Sequence, residues 1–228
     1  MNYLVATTIL WAFSFSLIGV YLAGQVDAWF SALTRISLAM LLFLPLLKLR
    51  NIPKPLALKL MSIGGVQLGL MYCFYYQSFL YLSVPEVLLF TVLTPIYVTL
   101  FYDISQRRFS LGFLVSAIVA VFGAMMIKYQ GINEGFLLGF AVVQGANISF
   151  ALGQVAYKRV MESDENSQLS QSSIFGLFYI GAFIIALVLF LLFGNTEKLP
   201  TTNTQWGILI YLGVIASGLG YFAWNKGA

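Results

Sequence analysis

The chain has 228 residues, of which 60% are hydrophobic and only 9% are charged, and its mean hydropathy is +0.89. A water-soluble domain carries about a quarter of its residues as charged groups, so this composition excludes one. The formal net charge is +4, but the basic residues lie in short segments between apolar stretches. We interpret them as a membrane-topology signal rather than a nucleic-acid surface.

Apolar stretches of about 20 residues, the length that crosses a hydrocarbon core, recur along the whole chain. They predict an all-α polytopic membrane protein embedded in a lipid bilayer. The eight predicted transmembrane helices cover residues 3–22, 29–47, 58–80, 85–102, 110–127, 136–157, 172–193 and 205–226. The first of them follows Met1 without a basic segment, so we interpret it as a retained helix rather than a cleaved signal peptide.

Basic residues between the spans predict the orientation, because short cytoplasmic loops are enriched in lysine and arginine. With the N-terminus in the cytoplasm, the inner side holds Lys48, Arg50, Lys54, Lys59, Arg107, Arg108, Lys158, Arg159 and Lys226. The outer side then holds Lys128 and Lys198. This asymmetry predicts a cytoplasmic N-terminus.

Two pairs of segments resemble one another along the chain, 10–16 with 143–149 and 69–77 with 218–226. Each pair is separated by five spans, and an odd number of spans places the second copy upside down, as in many secondary transporters. We therefore predict two inverted five-helix repeats, in domains 1–132 and 133–228. The second copy ends at Ala228, the counterpart of Phe79, so we expect a truncated chain with eight of ten helices. A natural eight-helix variant is the alternative.

Polar and aromatic side chains recur at helical spacing in several spans. Because polar groups are costly in a bilayer, they usually face the protein interior or a watery cavity. The candidate substrate-binding residues are Trp11, Ser14, Arg35, Gln67, Tyr72, Tyr75, Gln144, Asn147, Tyr221 and Trp224. Together they predict a central polar pathway between two aromatic layers, which suits alternating access. The alternative is helix packing, in which Ser, Asn and Gln bond across helices.

Two charged residues in or beside the spans allow more than one interpretation. Arg35 lies inside the second span, where it could pair with a substrate carboxylate. It could equally extend toward the outer interface or bind backbone carbonyls and Asp27. Glu86 is predicted to cap the fourth helix in a capping box with Ser83 rather than to carry protons. Pro95 predicts a kink in the same helix.

Other classes of protein fit the sequence less well. The chain has no histidine, a single cysteine (Cys73) and no cluster of carboxylates within the spans, which argues against an enzyme and against a metal or cofactor. The absence of a phosphate-binding loop motif argues against nucleotide hydrolysis. A non-transporting membrane scaffold is a third class, but it does not explain polar stripes that match between inverted copies.

Four segments carry a family resemblance: 8–16 (TILWAFSFS), 88–95 (LLFTVLTP), 205–209 (QWGIL) and 216–222 (ASGLGYF). With them the chain resembles EamA-type members of the drug/metabolite transporter superfamily. Within that group it is most similar to the bacterial biotin transporters of the carboxylate/amino acid/amine transporter branch. The resemblance implies ten helices, the bacterial cytoplasmic membrane and a small-molecule substrate.

The activity that this resemblance implies is uptake of biotin, with export of amino acids or related metabolites as the alternative. Biotin has a ureido ring system and a valerate tail. Under this hypothesis Asn147 and Gln144 bind the ureido group, tryptophan and tyrosine rings flank the ring system, and Arg35 meets the carboxylate. The family pattern transfers no established substrate residue to this chain.

Overall fold

The computed structural model describes residues 2–49, 52–125, 134–162 and 170–227, and all regular structure in those ranges is helical. The helices are α1 Tyr3–Leu22, α2 Ala28–Leu46, α3 Lys54–Ser78, α4 Val84–Gln106, α5 Leu111–Met125, α6 Gly135–Met161, α7 Gln171–Phe193 and α8 Asn203–Gly227. Within those ranges seven helices are long and apolar enough to cross a membrane; α5 has 15 described residues. The predicted all-helical, multi-pass architecture is confirmed for this part of the chain.

Several ends differ from the predicted spans for one reason. The third predicted span starts at 58 but α3 starts at Lys54, and the sixth ends at 157 but α6 ends at Met161. These extra turns contain charged side chains, so a span defined by its apolar residues leaves them out. The backbone is nevertheless helical there. The predicted features that lie outside the described residues are Arg50, Lys128, residues 126–127 of the fifth span, the 132–133 boundary and Ala228.

Side-chain caps define where three helices begin. Asp27 accepts a hydrogen bond from the Phe30 N–H at 2.7 Å and so caps α2. The carboxylate of Glu86 accepts from both the N–H and the hydroxyl of Ser83, at 2.7 and 2.6 Å, so the predicted capping box of α4 is confirmed. Thr202 forms the equivalent box with Gln205 at α8. Caps of this kind satisfy backbone donors that the helix cannot pair internally.

The predicted kink at Pro95 is a full interruption of α4. The helix consists of Val84–Thr91 and Thr94–Gln106, joined through Val92 and Leu93. Proline has no N–H and its ring clashes with the preceding turn, so the helical ladder cannot continue through it.

Three other helices of the described chain change their winding without a proline. Gly65–Leu70 in α3 and Tyr211–Leu219 in α8 are π-helical, and ordinary α-helix follows at Met71–Ser78 and Gly220–Gly227. The last turn of α1, Ile18–Leu22, is π-helical as well. A π-helical turn holds an extra residue and is frequent at functional sites. No residue pattern in the sequence predicts these segments.

Glycines allow α3 and α7 to cross in close contact. A Cβ on Gly64 would overlap the carbonyl of Phe178, and a Cβ on Gly181 would overlap the carbonyl of Met61. Small residues at such crossings are typical of membrane helices, whose association depends on close packing. The outward face of α1 carries Val5, Ile9 and Phe13, each about 60% exposed at helical spacing, as expected for a lipid-facing surface.

Candidate functional site

A cavity of about 780 Å³ lies among α1, α2, α3, α4, α6 and α8. Pockets of some 300–1,000 Å³ are typical of small-molecule sites, so this volume suits a metabolite. Eight of the ten predicted residues line it: Trp11, Ser14, Arg35, Tyr72, Tyr75, Asn147, Tyr221 and Trp224. The topology thus brings residues from both halves of the chain to one space.

The two predicted glutamines, Gln67 and Gln144, are not among the residues that line the cavity. Gln67 is fully buried against Gly153, and its amide atoms have no hydrogen-bond partner in the described part of the chain. Gln144 lies behind Asn147 and accepts hydrogen bonds from the Tyr97 hydroxyl and the Asn147 amide, both at 3.1 Å. A stripe of polar residues shows which face of a helix points into the protein. It does not show whether that face meets another helix, as at Gln67 and Gln144, or a cavity.

Arg35 lies inside the protein rather than at the membrane interface. Its side chain is 3% exposed, and the guanidinium carbon is 4.2 Å from the centre of the Tyr72 ring. Its Nε donates a hydrogen bond to the Ser217 hydroxyl, which in turn bonds the Tyr72 hydroxyl at 2.7 Å. The alternative in which Arg35 extends to the interface or pairs with Asp27 is therefore wrong: Arg35 is buried, and Asp27 caps α2.

Arg35 lies in the cavity wall, and one nitrogen of its guanidinium is buried without a partner in the ranges that the structure describes. Nη1 of Arg35 has no hydrogen-bond partner among the described residues. The ionisable side chains around Arg35 in the described part of the chain are tyrosines 72, 75, 76, 179 and 221. No carboxylate is among the described residues that line the cavity. A buried cation without a paired anion is costly, and a bound anion would relieve that cost.

The acidic residues nearest the helices have other roles. Asp27 and Glu86 cap α2 and α4, and the carboxylate of Asp103 accepts from the Ser110 N–H at 2.7 Å. Each of these carboxylates thus bonds backbone donors at a helix end. Among the described lining residues, Arg35 carries the formal charge of the cavity.

Aromatic rings form two clusters in the cavity wall. In one, the Trp11 ring lies 4.7 Å from Tyr221 and 5.1 Å from Trp224, measured between ring centres. Both indoles are fixed, because Trp11 donates to the Ala216 carbonyl at 2.9 Å and Trp224 to the Gln154 side chain at 3.2 Å. In the other cluster Tyr75 contacts Phe15 and Phe79, at 5.3 and 5.1 Å. Both clusters offer flat apolar surfaces to a ring system.

The broken helix α4 contributes a large part of the wall, which the sequence analysis did not predict. Its lining residues are Leu88, Thr91, Val92, Thr94, Pro95, Val98 and Thr99. Threonine and apolar residues do not stand out in a membrane span, so a pattern of polar stripes does not reveal them. The threonines that flank Pro95 were the available signal.

Asn147 holds the break in α4 from the neighbouring helix. Its amide nitrogen donates to the Phe90 carbonyl at 2.8 Å and to Gln144 at 3.1 Å, and its oxygen accepts from the Thr94 hydroxyl at 3.0 Å. Both amide hydrogens are therefore used within the protein. The hypothesis that Asn147 donates to a ureido group does not fit this arrangement.

We expect Asn147→Ala to lower the free energy of unfolding by about 1–3 kcal/mol, because it leaves the Phe90 carbonyl and the Thr94 hydroxyl without a partner. Thermal unfolding of the purified protein in detergent measures this effect. Asn203→Ala is the matched control, since Asn203 is exposed at the start of α8. Equal stability of the two variants would contradict the bracing role of Asn147.

Comparisons with known proteins agree with this architecture. Residues 1–129 match the EamA-like transporter family. The chain is 52% identical over 229 residues to the biotin transporter of Salmonella typhimurium and 51% identical over 230 residues to that of Escherichia coli K12. Both alignments cover 100% of this chain and 76% of the relative.

Two further matches are informative. A probable biotin transporter of Pseudomonas aeruginosa is 51% identical over 228 residues, with 79% of its length covered. A protein of known crystal structure superposes with a TM-score of 0.72, covering 99% of this chain and 79% of that chain. At 16% sequence identity, the structural match shows a shared fold alone.

Proposed function

Because the chain belongs to the EamA-like transporter family, we propose that it takes up biotin across the cytoplasmic membrane, binding the anion in the cavity at Arg35. The family match and the relatives named as transporters identify the chain as a multi-pass membrane protein and a secondary transporter rather than an enzyme. The substrate proposal is supported by relatives that are named biotin transporters and are about 51% identical over the full chain.

The observation that carries the proposal is the buried cation of Arg35 in the cavity wall, where the described lining residues include no carboxylate. Charge-assisted hydrogen bonds from arginine to a carboxylate are stronger than neutral ones and have a defined geometry. Ser217 and the Tyr72 ring hold the guanidinium while Nη1 stays without a partner among the described residues. A valerate carboxylate would supply the missing acceptor and neutralise the buried charge. The aromatic clusters around Trp11 and Tyr75 would then flank the fused rings.

We further propose that the two halves are inverted copies, with the N-terminus in the cytoplasm. Under the repeat, Tyr72 corresponds to Tyr221, and these two rings lie 5.8 Å apart in the cavity wall. The π-helical segments of α3 and α8 also fall at corresponding places, just before the cavity-lining turns. Nine inner cations against two outer ones support the orientation.

Uptake of radiolabelled biotin tests the proposed function. In a bacterial strain that lacks its own biotin importer and cannot synthesise biotin, expression of this protein is expected to restore uptake and growth on low biotin. An empty vector and the Arg35→Gln variant, each matched for amount in the membrane, are the controls. No uptake by correctly inserted protein would overturn the biotin assignment. Amino-acid efflux from the same cells would instead favour the exporter alternative.

A further inference from the structure

The break in α4 leaves two backbone carbonyls without their helical donors. Pro95 has no N–H, so the carbonyl of Thr91 cannot receive the usual bond from four residues later. The Ile96 N–H donates to the Leu93 carbonyl at 3.0 Å, so Val92 also lacks its usual partner. No other hydrogen bond to either carbonyl is present among the described residues. Both Thr91 and Val92 line the cavity.

The neighbouring polar groups cannot satisfy these carbonyls. The Thr91 hydroxyl donates to the Leu88 carbonyl at 2.7 Å, and the Thr94 hydroxyl donates to Asn147. Asn147 uses its amide hydrogens on Phe90 and Gln144. The carbonyls of Thr91 and Val92 therefore have no donor within the described part of the chain, because the nearby hydroxyl and amide donors already bond other acceptors.

Unsatisfied backbone in a membrane helix is tolerated where it lines a cavity, and there it can bind a ligand. Discontinuous helices of secondary transporters place such carbonyls at substrate and ion sites. Here Arg35 supplies a buried cation to the cavity wall, and the break supplies two carbonyls that lack partners in the described ranges, on residues that line the same cavity. A ligand that matches both has a carboxylate in one part and N–H groups in another.

We propose that the freed carbonyls of Thr91 and Val92 accept hydrogen bonds from the ring N–H groups of the substrate, so that the break in α4 recognises the cyclic urea while Arg35 recognises the carboxylate. This inference rests on the proposed function and assigns it a second recognition site. Asn147 is a positioning residue in this arrangement, because it holds the Phe90 carbonyl and Thr94 on either side of the break.

Three compounds separate the two recognition sites. Biotin carries both groups, biotin methyl ester lacks the anionic carboxylate, and biotin methylated on its ureido nitrogens lacks the ring donors. Binding to the purified protein in detergent is measured by competition with labelled biotin. The unmodified protein is expected to bind biotin about 10-fold or more tightly than either analogue, since a hydrogen bond or ion pair is lost in each.

Pro95→Ala restores an N–H that can bond the Thr91 carbonyl and close the break. It is expected to remove most of the preference for biotin over the N-methylated compound while keeping the preference over the methyl ester. Arg35→Gln is expected to do the reverse. Pro85→Ala is the matched control, because Pro85 lies in the first turn of α4, where no internal bond is lost, and does not line the cavity. It is expected to keep both preferences.

Two results would overturn the inference while leaving the proposed function intact. One is equal binding of biotin and its N-methylated analogue by the unmodified protein, which needs no variant and so decides the matter even if Pro95→Ala does not fold. The other is an unchanged preference in a folded Pro95→Ala protein. A protein that neither binds nor transports biotin would instead overturn the proposed function itself.

Discussion

Replacement of Arg35 by glutamine is expected to lower kcat/KM for biotin uptake by about 100-fold, since loss of a buried charge-assisted partner costs roughly 2–5 kcal/mol. The glutamine amide nitrogen can occupy the position of Nε beside Ser217, but the guanidinium over the Tyr72 ring is lost. The substitution removes a positive charge that no carboxylate balances in the described part of the cavity wall. Initial rates of labelled biotin uptake, normalised to the amount of protein in the membrane, measure the effect.

The controls for this variant distinguish charge from shape. Arg35→Lys keeps the charge but lacks the planar fork, so we expect it to recover only part of the activity. Arg108→Gln removes an exposed cation at the end of α4 and is expected to transport normally. If Arg35→Gln accumulates, folds and transports biotin at the original rate, the carboxylate does not bind at Arg35.

Alanine at Gly64 or Gly181 is expected to destabilise the fold more than alanine at other helical glycines. In both places the new methyl group would overlap a backbone carbonyl, of Phe178 or Met61, that no rotamer change can move. Overpacking of this kind costs about 1–3 kcal/mol, and more where the backbone must shift. We expect a clearly lower midpoint of thermal unfolding in detergent and less folded protein in the membrane.

Gly207→Ala provides the comparison, because a Cβ there has no neighbour within 4 Å. It lies in α8, and alanine is the better helix former by about 1 kcal/mol, so stability is expected to stay equal or rise. A Gly64→Ala protein as stable as Gly207→Ala would contradict the close crossing of α3 and α7 at Gly64.

Much of the fold follows from the sequence because the bilayer imposes strict conditions on it. Apolar length, the Ser83–Glu86 capping box and Pro95 each have a direct physical consequence. The capping box and the kink are confirmed, and seven of the eight predicted spans are long and apolar enough to cross a membrane in the described part of the chain. The family resemblance carried by short segments such as 88–95 is also confirmed. Membrane backbone must pair its own hydrogen bonds, so a suitable segment has few alternatives to a helix.

The site was less accessible from the sequence, for reasons that particular residues illustrate. Gln67 and Asn147 look alike in a span, yet one is enclosed against Gly153 and the other braces α4. Helical spacing identifies an inward face, but it does not say whether a neighbouring helix or a void lies opposite. The freed carbonyls of Thr91 and Val92 belong to the backbone, so residue type alone does not reveal them.

Protection of an introduced cysteine by substrate tests most directly whether biotin occupies this cavity. In a Cys73→Ser background that retains uptake, Ala12→Cys places a thiol in the cavity wall, and Phe13→Cys places one on the adjoining outward face. Biotin is expected to slow alkylation at position 12, with half-maximal protection near its KM, and to leave position 13 unaffected. Saturating biotin that leaves alkylation at position 12 unchanged, in a protein that still transports it, would place the substrate elsewhere.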